Sequence, residues 1–109
     1  MFVLVTAGGG TQATVEDAGN LKQLHAEFRG VSDRTGAQVI AASGLGSADE
    51  EHAWLDVSAL RAAGDESVRA AGGDAADWAR QFDAMIAYAA SKGWTDPDGS
   101  RVRAHIIRT

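Results

Sequence analysis

The chain has 109 residues, with 10 Lys and Arg against 15 Asp and Glu, a net charge of −5 and no cysteine. That length suits one domain with a single modest core, burying about two-thirds of the unfolded chain's surface. The acidic balance argues against a nucleic-acid backbone as partner, and the lack of thiols excludes a disulfide framework, a thiolate metal site and a cysteine nucleophile.

No apolar run approaches the roughly 18 residues of a membrane span. Met1 to Thr6 is too short for the apolar part of a secretion signal and has no basic segment before it. The expectation is a cytoplasmic protein that binds neither membrane nor nucleic acid. Arginine outnumbers lysine by eight to two, and alanine and glycine abound. That composition suits a high-GC bacterial genome and says nothing of function.

Residues 2–6 are apolar and largely β-branched and predict a strand, buried on both faces if central. Residues 7–20, opening with Gly8-Gly9-Gly10, predict a long flexible loop or lid. Residues 21–29 are ambiguous: Leu21, Leu24, Phe28 and Val31 suit a helical stripe, but Leu24, Ala26 and Phe28 alternate with polar residues and favour a strand. In the alternative assignment 21–30 is the helix and 37–43 the strand, which gives the ferredoxin-like order. Ser32 is a good N-cap, and Ala37, Ile40, Ala41 and Leu45 mark one face of a following helix, stopped by Gly44 or Gly46. Residues 47–51 read as a polar turn and His52–Val57 as a clear strand. Ser58 would cap a short helix over 59–63, ended by Gly64, with loop over 65–73. Asp74 caps the strongest helix, 75–92, with Trp78, Phe82 and Met85 as its core stripe and Gly93-Trp94 as its C-terminal signal. A turn at 95–100 leads to a last strand, 101–107.

These elements predict a single α+β domain over 1–109. Its core would be a four-stranded, largely antiparallel sheet with helices on one face, ferredoxin-like or of a related split β-α-β arrangement. The alternation carries a further consequence, because successive strand side chains point to opposite faces. Leu24, Ala26, Phe28, Ala53, Leu55, Val57, Val102, Ala104 and Ile106 would share the core face. His25, Glu27, Arg29, His52, Trp54, Asp56, Arg103 and His105 would share the other. All three histidines of the chain fall on that second face.

Imidazole suits proton transfer because its ordinary pKa lies near neutrality. His25, His52, His105 and Asp56 are therefore the candidate catalytic residues. Trp54 could stack on a flat apolar ligand, Glu27 could orient a histidine, and Arg29 or Arg103 could hold a carboxylate. The plainer reading of the same face is a solvated sheet surface. No close histidine spacing marks a metal site, so no metal is assigned. The glycine run lacks the third glycine and helix start of a dinucleotide turn and the lysine of a phosphate loop, so no cofactor is assigned. Ser32 and Ser58 are accounted for by capping, and no nucleophile elbow is present.

Two functions follow as expectations. One is a small cofactor-free acid/base enzyme or binding protein for an apolar or aromatic small molecule held on the histidine-bearing face. The other is a non-enzymatic homodimeric interaction module using that face, with Trp54 as anchor.

Overall fold

The computed structural model describes residues 1–6 and 12–109. In chain order the elements are β1 (Phe2–Thr6), β2 (Gln12–Glu16), β3 (His25–Arg29), α1 (Asp33–Ser43), β4 (Gly46–Ala48), β5 (His52–Asp56), α2 (Val57–Ala70), α3 (Ala75–Ser91) and β6 (Arg101–Arg108). The strands form one sheet in the order β2-β1-β3-β6-β5-β4, curled into a half-barrel. β1 lies parallel to β3, and β3 to β6, while the β1–β2, β5–β6 and β4–β5 pairs are antiparallel.

This six-stranded mixed sheet overturns the expected four-stranded, largely antiparallel one, ferredoxin-like or of a related split β-α-β arrangement. Two strands lie where loop or turn was expected. β2 falls inside the presumed 7–20 loop, whose residues 7–11, the glycine run included, lie outside the described part. Gln12 to Glu16 alternates polar and apolar residues, and Ala13 and Val15 pack against the core beside Val5 and Val3. β4 is only three residues long, too short for periodicity to register. Its Gly46 was a candidate helix stop. Instead Gly44, at φ 78°, ends α1 and donates its N–H to Ala41, whereas Gly46, at φ 138°, sits against Trp54, where a Cβ would lie 2.0 Å from the Trp54 carbonyl oxygen.

The second helical correction is α2, which runs to Ala70 rather than stopping at Gly64. Gly64 is buried inside the helix, where it admits the Trp78 ring of α3: a Cβ there would meet that ring at 2.3 Å. The N-cap is Asp56, not Ser58, its carboxylate accepting from the Ala59 N–H at 2.8 Å. The Ser32 and Asp74 caps stand as read, each accepting from the backbone N–H three residues on.

The strand alternation determines which side is packed. Ala26, Phe28, Ala53, Leu55, Val102, Ala104 and Ile106 are buried in one cluster with Val3 and Val5, while Leu24 and Val57 are half-buried. Ile40 of α1, Leu60 of α2 and Trp78, Phe82 and Ala89 of α3 join the same cluster, so the helices cover this face. Each large side chain taken from water there contributes about 1.5–3 kcal/mol. β1 has a neighbour on both sides yet is buried on only one face, because Phe2, Leu4 and Thr6 emerge on the open face and stay half-exposed. No described helix is long and apolar enough to cross a membrane.

Candidate functional site

The β3–β6 and β5–β6 registers share a residue: His105 is the partner of His25 on one side and of His52 on the other. Phe2 of β1 is in turn the partner of His25. Four neighbouring strands therefore place Phe2, His25, His105 and His52 in a single row across the open face. The Phe2 and His25 rings stack nearly parallel, with centroids 4.9 Å apart and planes at 6°. The His25 and His105 rings follow at 6.0 Å and 26°. His52 lies 4.0 Å, Nδ1 to Oε2, from Glu51.

His25 has its pKa held below the ordinary histidine value. Desolvation is the main cause, because the ring is sandwiched and half-buried, and the neighbouring His105 adds to it, while Glu27 acts in the opposite direction. Desolvation and His105 both bias the His25 ring towards its uncharged form. Stacked rings in a row do not converge on one point. Among the described residues no group of three or more His, Cys, Asp or Glu is arranged to hold a metal ion.

The other candidate residues spread along the same face. Trp54 is the cross-strand partner of Arg103 and of Ser47. Glu27 lies between Leu4 and Ile107 and pairs with Arg29, so these two charges neutralise each other. Asp56 stands four residues along β5 from His52, about 13 Å at strand rise, and its carboxylate is occupied in capping α2. The structure thus joins the three histidines and sets Asp56 apart from them.

Among the arginines of β6, Arg101 donates to the Ser47 hydroxyl at 3.2 Å. Arg108 holds Asp33 at 2.7 Å and the Glu50 carbonyl at 2.9 Å. The Arg103 side chain has no hydrogen-bond or ion-pair partner among the described residues. Its backbone N–H donates to the Trp94 carbonyl at 2.7 Å, and Thr95 bridges to Val102. The segment Trp94–Thr95 thus flanks β6 on the side where β3 begins only at His25, opposite His105. Ala104 falls between the two, at a break in the sheet.

A recess of about 240 Å³ opens at this break, lined by Leu24, His52, Trp94, Arg103, Ala104 and His105. On the helix side a larger groove, about 740 Å³, runs between residues 19–24 and the C-terminal half of α3. Residues 17–24 are held in place there: the Trp78 indole N–H donates to the Ala18 carbonyl at 2.7 Å, and the Met1 nitrogen donates to the Gln23 carbonyl at 3.1 Å.

Sequence reasoning did not find this recess and groove. Trp94 was read only as part of the C-terminal signal of α3, a role it fills, its N–H donating to the Ala89 carbonyl at 2.9 Å. The one usable signal in the residues was a tryptophan, Trp94, placed between a helix-ending glycine and the turn before the last strand; the structure leaves it 37% accessible. Comparison with protein-family models, with curated proteins and with solved structures returned no match.

Proposed function

We propose that the histidine row is a proton-transfer site for a small apolar or aromatic molecule resting on the open face. The observation that supports this most strongly is the shared register that makes His105 the neighbour of both His25 and His52. His105 and His52 line the recess and are the imidazoles a ligand would touch. His25, behind His105 in the stack, is a positioning residue whose uncharged ring keeps His105 in place. Trp54 and Arg103 supply a flat apolar surface and a cation beside them. One imidazole accepts a proton from carbon and another returns a proton to the product, a chemistry that side chains can perform without a carrier group.

The test is solvent deuterium incorporation into a panel of carbonyl C–H acids, read by mass spectrometry. Wild-type protein should catalyse exchange. His105→Gln and His52→Gln should each lower its rate by about 10²-fold or more. Exchange unchanged in both variants would refute the reading.

A second reading has its own support. The half-barrel leaves Phe2, Leu4, Trp54 and Ile107 half-buried on a face that no described helix packs against. A second copy placed on that face would cover them, with Trp54 as anchor. Sedimentation of wild type and Trp54→Glu decides: a dimer turned monomeric by the substitution supports this reading, and a wild-type monomer rejects it.

A further inference from the structure

The groove and the recess share three lining residues, Leu24, Trp94 and Arg103. We propose that together they take one ligand, a flexible-chain aliphatic monocarboxylate, with its carboxylate on Arg103 beside the histidine row and its chain in the groove. The proposal rests on the reading of the row as a ligand site and names the class of molecule it would take.

Chemistry along the path supports this polarity. The groove wall is built largely from Leu21, Leu24, Met85, Ile86, Ala89 and Trp94, and about 740 Å³ is within the usual size of a small-molecule site. Among the described residues its charged lining is Lys22 and Arg103, with no carboxylate. In a chain with 15 acidic and 10 basic residues, a wall with cations alone favours an anionic ligand. Arg103 is half-buried and its fork of donors has no partner among the described residues, whereas Arg101 and Arg108 are committed to Ser47 and Asp33. A guanidinium of that kind matches a carboxylate bidentately.

Geometry selects the chain. The recess lies beside histidines of the open face, and the groove lies against α3 on the packed side. A molecule occupying both must turn around the sheet at the break by Ala104, which an aliphatic chain can do and a fused planar ring system cannot. The walls are preformed, because Ala18 and Gln23 are tied to Trp78 and Met1, so binding need not order them first.

Isothermal titration with sodium decanoate tests the assignment. Wild type should show one saturable site, with affinity falling about two- to fourfold for each methylene removed in the nonanoate and octanoate series. Arg103→Met should weaken decanoate roughly tenfold or more, and decan-1-ol should bind wild type weakly and be indifferent to that substitution. Ala84→Glu, at an exposed position on the groove wall, should also weaken decanoate roughly tenfold. It serves as a second variant should Arg103→Met fail to fold.

No saturable decanoate binding up to about 1 mM, or equal affinity in wild type and both variants, would overturn the proposal. Decanoate bound by wild type, His105→Gln and His52→Gln without deuterium exchange would sustain this inference while removing the proton-transfer reading. Exchange on short carbonyl compounds without decanoate binding would do the reverse.

Discussion

His25 and His105 face one another across the parallel β3–β6 pair, their ring centroids 6.0 Å apart and their planes 26° from parallel. Two imidazoles so close cannot both take up a proton without mutual repulsion, and desolvation of the sandwiched His25 ring already disfavours its cation.

Stability should therefore depend on pH through His25. Its pKa in the folded chain is lowered, so below about 6.5 the unfolded chain binds more protons than the folded one. Stability is then greatest above that value and falls as pH drops through it towards the lower folded-state pKa. Urea-denaturation midpoints measured from about pH 5 to pH 8 should show this decline. In His25→Gln the decline should be shallower; an identical slope would contradict the assignment.

The contact between Gly64 and Trp78 makes a sharper structural prediction. Alanine at an inner helix position normally gains about 1 kcal/mol over glycine. At Gly64 the added Cβ would lie 2.3 Å from the Trp78 ring, so overpacking should win. Gly64→Ala should lose about 1–3 kcal/mol in chemical denaturation. A neutral or stabilised variant would mean that α2 and α3 are not packed as described.

How much of this was legible in the sequence differs from element to element. The three strands bearing histidines were readable, because each alternates cleanly enough to define a face. The caps at Ser32 and Asp74 were readable because capping is local chemistry. Gly46 and Gly64 misled because a glycine was taken as a stop, when Gly46 admits the close approach of the β5 backbone at Trp54 and Leu55, and Gly64 makes room for the Trp78 ring of α3. The β2 pattern was present in Gln12–Glu16 but overshadowed by the glycine run before it. The parallel pairing of β1 with β3 and β3 with β6 was out of reach, since register and strand order depend on partners far along the chain. The side of the histidines could therefore be predicted, but not the row, nor the break at Ala104 that joins it to the groove.

Asp56 separates a structural from a chemical role. Its carboxylate caps α2 through the Ala59 N–H. Asp56→Ala should cost about 0.5–2 kcal/mol, and Asp56→Asn, an equally good cap, should be nearly neutral. Thermal or urea denaturation of the two variants checks this. Equal losses in both would show that the negative charge, rather than the cap, carries the effect.

Trp78 ties the groove to the core. Trp78→Phe removes the indole donor to the Ala18 carbonyl and leaves that buried acceptor unpaired, at a cost of about 1–3 kcal/mol. Amide hydrogen exchange in residues 17–24 should accelerate, because the segment loses an anchor to α3. Unchanged protection there would show that the wall is held by other contacts.

The row of imidazoles is tested most directly by nuclear magnetic resonance of the three histidine rings, titrated with pH in wild type and in His105→Gln. His25 should titrate below the ordinary histidine value in wild type and move upward when His105 is replaced, since the neighbouring imidazole helps to hold it down. A His25 titration at or above the ordinary value, or one unmoved by the loss of His105, would contradict the arrangement on which the proposed site depends.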